Sequence, residues 1–164
     1  MGQIVLKSVT TDLNPESLER AIKEIDDFKN KLCDAMIFLI ARLAEEGATV
    51  AKVMLLAFDP PAYYTGQLHD SIRSDTDTKN RTGRVYVEEG THYAFFVEYG
   101  TGIFNANSKR NGEPWIYFND RDGKFHITYG MPPRPFMHNT LIVLTDKAKT
   151  EGGRVIAEYI MQGG

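Results

Sequence analysis

The feature that most constrains this chain is a long, heptad-like series of apolar residues near its N-terminus. From Leu18 to Leu43, apolar side chains follow one another at spacings of four, three, seven, four, three and four. The members of this seam are Leu18, Ile22, Ile25, Leu32, Met36, Leu39 and Leu43. Such spacing keeps one stripe of an α-helix apolar. We therefore predict a long helix over this segment.

The residues before and after the seam predict where the helix begins and ends. Asn14 can cap a helix, Pro15 suits the first helical position, and Glu16 places negative charge in the first turn. Gly47 is predicted to end the helix at about residues 15–46. Such a helix is about 45 Å long, as long as a compact domain of this size, so we expect a second copy of the chain to cover part of the seam.

The two halves of this helix differ in composition. Glu19, Lys23, Asp26 and Lys31 make the first half polar outside the seam, whereas the second half reads AMIFLIARLA and is apolar nearly all round. A helix that is apolar on all sides is buried. We therefore expect the helix to begin in solvent and to end in the core.

The rest of the chain predicts short strands and two more helices. A first strand is predicted at residues 4–9, and a short second helix at residues 49–58 before two prolines. Residues 68–74 and 83–88 alternate in polarity and predict a hairpin with a loop at 75–82. Residues 113–119 and 124–129 flank an Asp-Gly turn and predict a second hairpin. A C-terminal helix is predicted at about residues 136–161, weakened by Gly152 and Gly153.

This order of elements predicts an α+β fold. We expect one domain over residues 1–164, with a sheet region at about residues 66–130. The antiparallel sheet is expected to have about four strands, with the long N-terminal helix and the C-terminal helix packed on one face.

Charge and cysteine content exclude several classes of function. The net charge of −3 and the absence of a Lys/Arg stripe argue against sequence-specific DNA binding. Cys33 is the only cysteine, which rules out an internal disulfide and a cysteine-based zinc cluster. The sequence has neither a secretory signal pattern nor an apolar run long enough to span a membrane, so we expect no membrane association.

Motifs for catalysis or cofactor binding are also missing. The four histidines show no metal-ligand spacing, no serine lies in a GxSxG turn, and GTGIFN at residues 100–105 lacks the rest of a phosphate-binding loop. We therefore expect no metal and no cofactor. His92, Glu98 and His126 remain the one plausible catalytic set.

Two segments are too apolar for ordinary loops, namely YAFFVEYGT at residues 93–101 and GMPPRPF at residues 130–136. Glu98 is a single carboxylate among aromatic residues and is costly to bury without a partner. Arg134 lies between prolines and can pair with a carboxylate through two hydrogen bonds. We therefore predict that Glu98 and Arg134 meet. Packing alone is an equally good account of both segments.

Together these segments resemble the neck proteins of long-tailed bacteriophages and prophages, called head-to-tail joining or tail-completion proteins. The resemblance lies in GQLHDSI at residues 66–72, YAFFVEYGTG at 93–102 and WIYFNDRDGKFHITYGMPPRPFM at 115–137, followed by a helix. The long N-terminal helix fits the plan of such proteins but carries no motif of its own.

The resemblance implies a structural virion protein of the neck, without catalysis or cofactor. It implies a ring of six or twelve copies between a portal-side adaptor or head-completion protein and the tail terminator or tail tube. DNA would pass through without sequence-specific binding, and the ring would be assembled in the host cytoplasm.

The resemblance also assigns roles to residues. The core and a subunit contact would be shaped by Glu98, Tyr99, Gly100, Thr101, Arg134, Pro135 and Phe136. The polar loop at residues 103–112 would reach a neighbouring ring through Phe104, Asn105, Asn107, Lys109 and Arg110.

Three alternatives stay open at this point. A tail-terminator ring is the nearest, since it is also built from small α+β subunits. A small enzyme using the His92, Glu98 and His126 set is a different class. A regulatory dimer joined through the Leu18 to Leu43 seam is the third.

Overall fold

The structure, a computed structural model, describes residues 14–59, 62, 66–107 and 112–162. In chain order its elements are α1 (Pro15–Ala57), α2 (Gln67–Ser71), β1 (Ile72–Asp77), β2 (Thr82–Val87), α3 (Ala94–Tyr99), β3 (Trp115–Asn119), β4 (Lys124–Thr128) and α4 (Phe136–Met161), with a 3-10 turn at Gly102–Phe104. The strand predicted at residues 4–9 lies outside the described residues. None of the helices in the described part is both long and apolar enough to cross a membrane.

Helix α1 begins where its cap predicts and continues well beyond Gly47. The side chain of Asn14 accepts a hydrogen bond from the Ser17 amide at 2.9 Å, and the helix runs for 43 residues, about 64 Å. The predicted end at Gly47 and the predicted separate helix at 49–58 are therefore wrong. A Cβ at Gly47 would lie 2.7 Å from Leu144 Cδ1 and 2.7 Å from Val85 Cγ2. Gly47 therefore does not end α1. It lies within the helix, where the missing side chain lets Leu144 and Val85 pack closely against the helix backbone.

Helix α4 packs antiparallel against the C-terminal part of α1. Near its start, Leu144 contacts the helix at Gly47; near its end, the ring of Tyr159 lies 5.1 Å from that of Phe38. Between them, Lys147 forms an ion pair with Glu46. At 26 residues α4 is about 39 Å long, so roughly 25 Å of α1 extends beyond it at the N-terminal end.

The first hairpin packs across the same part of α1. Strands β1 and β2 are antiparallel, with Ile72 opposite Val87, and a Cβ at Gly83 would lie 3.0 Å from the Ile40 side chain. Helix α2 occupies residues for which a strand is predicted, because Leu68 and Ser71 are both buried at helical spacing. The hydrophobic core lies between the C-terminal part of α1, this hairpin, α3 and α4. It consists of Ala51, Leu55, Leu68, Ile72, Val97 and Phe136.

The second hairpin is formed by β3 and β4. Within the described residues the four strands form two separate two-stranded sheets. The predicted α+β class is confirmed, with the long N-terminal helix packed against both the C-terminal helix and the first hairpin.

Candidate assembly surfaces

The two unusual segments of the sequence lie against each other through their backbones. We call this contact, formed by residues 97–103 and 129–134, the motif junction. The Thr101 amide donates to the Met131 carbonyl at 2.9 Å and the Ile103 amide to the Tyr129 carbonyl at 3.0 Å. The Arg134 amide donates to the Val97 carbonyl at 2.7 Å. These hydrogen bonds join α3 to the segment that leads into α4.

Glycines make this close approach possible. A Cβ at Gly102 would lie 1.9 Å from the Tyr129 carbonyl oxygen, and a Cβ at Gly130 would lie 2.1 Å from the Thr101 carbonyl oxygen. Both glycines also have positive φ angles, of 60° and 125°. Only glycine combines this backbone conformation with so close a contact.

Glu98 is buried, as expected, but its partner is not the predicted one. Its Oε2 atom accepts the Met137 amide at 2.9 Å and its Oε1 atom accepts the His138 amide at 3.0 Å. Both amides belong to the first turn of α4, which has no intrahelical acceptor for them. The carboxylate thus caps α4 from a distant part of the chain, in the place where a negative charge is favoured.

The predicted ion pair between Glu98 and Arg134 is therefore wrong within the chain. The two helix amides already satisfy both carboxylate oxygens, so no guanidinium is needed. Arg134 is half-buried and its side chain makes no ion pair with the described residues. Pro135 precedes α4, and Phe136 is fully buried in the core.

The outer face of α3 displays aromatic rings. Val97 and Glu98 point inward, whereas Phe95, Phe96 and Tyr99 are exposed. The ring of Phe95 lies 4.7 Å from that of Tyr99 and 6.1 Å from that of Phe96. We call these three residues the α3 aromatic patch.

The candidate docking loop is tethered at its start. Phe104 is exposed on the 3-10 turn, while Asn105 donates from its side chain to the Gly100 carbonyl at 3.1 Å. Asn107 donates its amide to the Asn105 side chain at 2.9 Å. The other two predicted loop residues, Lys109 and Arg110, lie outside the described residues.

The β3–β4 hairpin has one entirely apolar face. Ile116 pairs with Ile127 and Phe118 with Phe125, and partners across an antiparallel pair lie on the same face. These four side chains, which we call the hairpin apolar face, are 50 to 74% exposed. No helix or other strand of the described residues packs substantially against the hairpin.

The opposite face of this hairpin is mixed. The ring of Tyr117 stacks on that of His126 at 5.6 Å, and His126 Nε2 lies 2.7 Å from Asp122 Oδ2. Partial desolvation raises the pKa of Asp122, but hydrogen bonds from His126 and from the Lys124 amide hold it below its ordinary value of 3.8 overall. These contacts order the turn of the hairpin.

A second uncovered apolar surface lies on the projecting part of α1. Leu18, Ile22, Ile25 and Phe28 follow one another at helical spacing and are 43 to 59% exposed. We call these four residues the α1 stripe. The seam from Leu32 onward continues toward α4, where Leu39 and Leu43 are half-buried.

The structure does not bring the one plausible catalytic set together. Glu98 binds the amides of α4, His126 lies beside Asp122 in the hairpin, and no hydrogen bond or ion pair among the described residues joins either to His92. In the same part of the chain, no group of three or more His, Cys, Asp or Glu residues is placed to hold a metal ion.

Three residues of the α1 stripe, Leu18, Ile22 and Ile25, belong to the predicted seam. Sequence reasoning missed the hairpin apolar face, although that face left a signal. The run WIYF at residues 115–118 has no polar residue in alternation, which means that both faces of β3 are apolar. A strand of that kind needs cover on both sides, and the described residues supply little.

Comparison with curated proteins and with solved structures gave no significant match. Residues 15–100, just over half of the chain, match the family described as "Bacteriophage HK97-gp10, putative tail-component". The matched residues run from Pro15, the first residue of α1, to Gly100, the residue directly after α3. They therefore include the long helix, which carries no motif of its own. The chain therefore belongs to the HK97-gp10-like family of bacteriophage tail components.

Proposed function

We propose that this chain is a structural subunit of the phage neck, which forms a ring and joins head to tail or completes the tail. The observation that carries the proposal is the amount of apolar surface that the single chain leaves uncovered. The hairpin apolar face, the α1 stripe and the α3 aromatic patch are all exposed. Exposed apolar surfaces of this extent are typical of proteins that associate with others.

The family supports this proposal, since it is a family of tail components and not of enzymes. We propose that the motif junction fixes the shape of the single domain. Its backbone hydrogen bonds and the Glu98 carboxylate, which caps α4, hold α3 against the start of α4. Tyr99 and the rest of the α3 aromatic patch are proposed to face a neighbouring subunit. Phe104, Asn105 and Asn107, with Lys109 and Arg110, are proposed to reach the next ring.

The proposed neighbours follow from a position in the neck. A ring of six or twelve copies would contact a portal-side adaptor or head-completion protein on one side and the tail terminator or tail tube on the other. The net charge of −3 suits a wall beside passing DNA, since like charge keeps the polymer from adhering. We propose that the ring is assembled in the host cytoplasm and acts without catalysis.

Deletion of the gene followed by electron microscopy of the particles tests this function. We expect filled heads beside complete but unattached tails. Tails of uncontrolled length would instead indicate a tail terminator, which is the nearest alternative. Normal, infectious particles in the absence of the chain would contradict a role in the neck. Electron microscopy of complete particles would then give the copy number and the neighbours.

A further inference from the structure

We infer that the hairpin apolar face of one copy packs on the α1 stripe of the next copy in the ring. This inference rests on the proposed function and deepens it, because it names the contact that would close the ring. The occupant of each surface is then a second copy of this chain.

The first step is that the β3–β4 hairpin needs a partner. A two-stranded hairpin on its own is marginally stable at best in water. Ile116, Phe118, Phe125 and Ile127 are all at least half exposed, and no described helix or strand covers them. A second copy of the chain offers an apolar surface on which they can be buried, because the α1 stripe is exposed as well.

The second step is that the α1 stripe lies where another molecule can reach it. Helix α4 covers only the C-terminal part of α1, and about 25 Å of the helix projects beyond it. Residues 22–31 of this projection are all exposed. A neighbouring subunit can therefore contact the stripe without displacing any described element.

The third step is that the two surfaces match in size and chemistry. From Leu18 to Phe28 the stripe is about 15 Å long. The two cross-strand pairs of the hairpin apolar face cover about 10 Å along the strands and across them, once the side chains are included. Both surfaces consist only of Leu, Ile and Phe side chains, so no charged group needs to be desolvated when they meet.

The fourth step concerns the geometry of association. Because the two surfaces lie on different elements, each copy can offer one surface to each of two neighbours, and repeated head-to-tail contacts of that kind form a ring when the rotation closes. The contact involves four side chains from each copy, far fewer than the roughly 20 to 30 residues that each partner contributes to a standard stable interface. We therefore expect the contact in the assembled ring and not between two free chains.

Cysteine cross-linking in particles tests the contact. All variants carry Cys33→Ala, which removes the native thiol on α1. One copy carries Ile22→Cys and another, with a distinguishable tag, carries Phe118→Cys; both are supplied together to a phage that lacks the gene. Purified particles are treated with a short bismaleimide, and linked chains are separated by electrophoresis. In the control, Glu89→Cys, an exposed loop position, replaces Phe118→Cys.

We expect a linked pair containing one chain of each tag, and at least tenfold less product when either variant is supplied alone or with the Glu89→Cys control. A linked pair from Ile22→Cys alone would indicate that two α1 stripes meet and would overturn the inference. A link to a different virion protein, or no link at all in particles that contain both variants, would also overturn it. Particles that contain neither variant would instead contradict the proposed function, and the contact with it.

Discussion

Glu98 lies at the point where the two motifs of the sequence become one structural unit. Its carboxylate accepts the amides of Met137 and His138, which are 39 and 40 residues away in sequence. The sequence shows that this buried acid needs a partner, but it suggests Arg134, because a guanidinium is visible as a residue type. The backbone amides at the start of a helix cannot be recognised from residue type, because every residue except proline has one. The sequence could therefore predict that Glu98 has a partner, but not that the partner is a pair of backbone amides.

Replacing Glu98 tests this cap. We expect Glu98→Ala to lower the free energy of unfolding by about 2 kcal/mol, because two amides in the first turn of α4 lose their acceptors and this end of the helix loses a negative charge. Urea unfolding followed by circular dichroism measures the change. Glu89→Ala, at an exposed position, is the control and should leave the midpoint unchanged. Equal stability of the two variants would show that the cap contributes nothing.

At the scale of elements, α1 shows what periodicity predicts and what it does not. The seam and the Asn14 cap predict the start of the helix, and the change from a polar to an apolar second half predicts where burial begins. Gly47 predicts a helix end because glycine is common there. In the structure it instead lies beneath Leu144 and Val85, which come from α4 and β2. That role depends on distant residues, so no local pattern contains it.

Two glycines inside helices should respond in opposite ways to alanine. We expect Gly153→Ala to stabilise the protein by about 1 kcal/mol, because its Cβ meets no atom within 4 Å and alanine favours the helix. We expect Gly47→Ala to destabilise it by about 1 kcal/mol, since crowding against Leu144 and the stiff side chain of Val85 exceeds that gain. Thermal unfolding of both variants measures this difference. Stabilisation by Gly47→Ala would contradict the packing described.

The turn between β1 and β2 should depend on pH. The backbone amide of Asn80, and then its side chain, donates to Asp77 and lowers the pKa of that carboxyl below its ordinary value of 3.8. A lowered pKa in the folded state means that this contribution to stability is present above about pH 4 and is lost as the pH falls through the folded pKa. The Asn80 amide resonance in NMR should therefore titrate with a midpoint below 3.8.

The matched control for this titration is Asp77→Asn, in which the Asn80 amide should show no such transition. A midpoint at or above 3.8 in the unsubstituted chain would mean that the hydrogen bond to Asp77 does not stabilise the charged carboxyl.

At the scale of the whole molecule, the α+β class followed from the order of predicted elements, while the arrangement of the strands did not. The Asp-Gly turn at residues 122–123 predicts the second hairpin, and β3 and β4 flank that turn. The local sequence pattern cannot show that the second hairpin forms a sheet separate from the first, because the pairing of strands between hairpins depends on tertiary packing. The exposure of the hairpin apolar face therefore emerges only from the folded chain.

Folding and assembly should be separable on this surface. We expect the double variant Phe118→Ser, Phe125→Ser to lose at most about 1 kcal/mol in free energy of unfolding, the value of the contact between the two rings, whose centres lie 5.1 Å apart. Both side chains are at least half exposed, and no described helix packs substantially against the hairpin. The double variant should fail to enter particles, because the apolar face is lost. Asn119→Ser, Lys124→Ser changes the neighbouring cross-strand pair, which lies on the opposite face, and is the control. Normal incorporation of the double variant would contradict a role for the face in assembly.

The purely apolar character of the hairpin apolar face has a thermodynamic consequence. Association through such a face is driven near room temperature by the release of ordered water, so its driving force is entropic and weakens on cooling. It also contains no charges for added salt to screen. A ring joined in this way should stay intact in concentrated salt and loosen in the cold. A ring joined by ion pairs would instead loosen in concentrated salt.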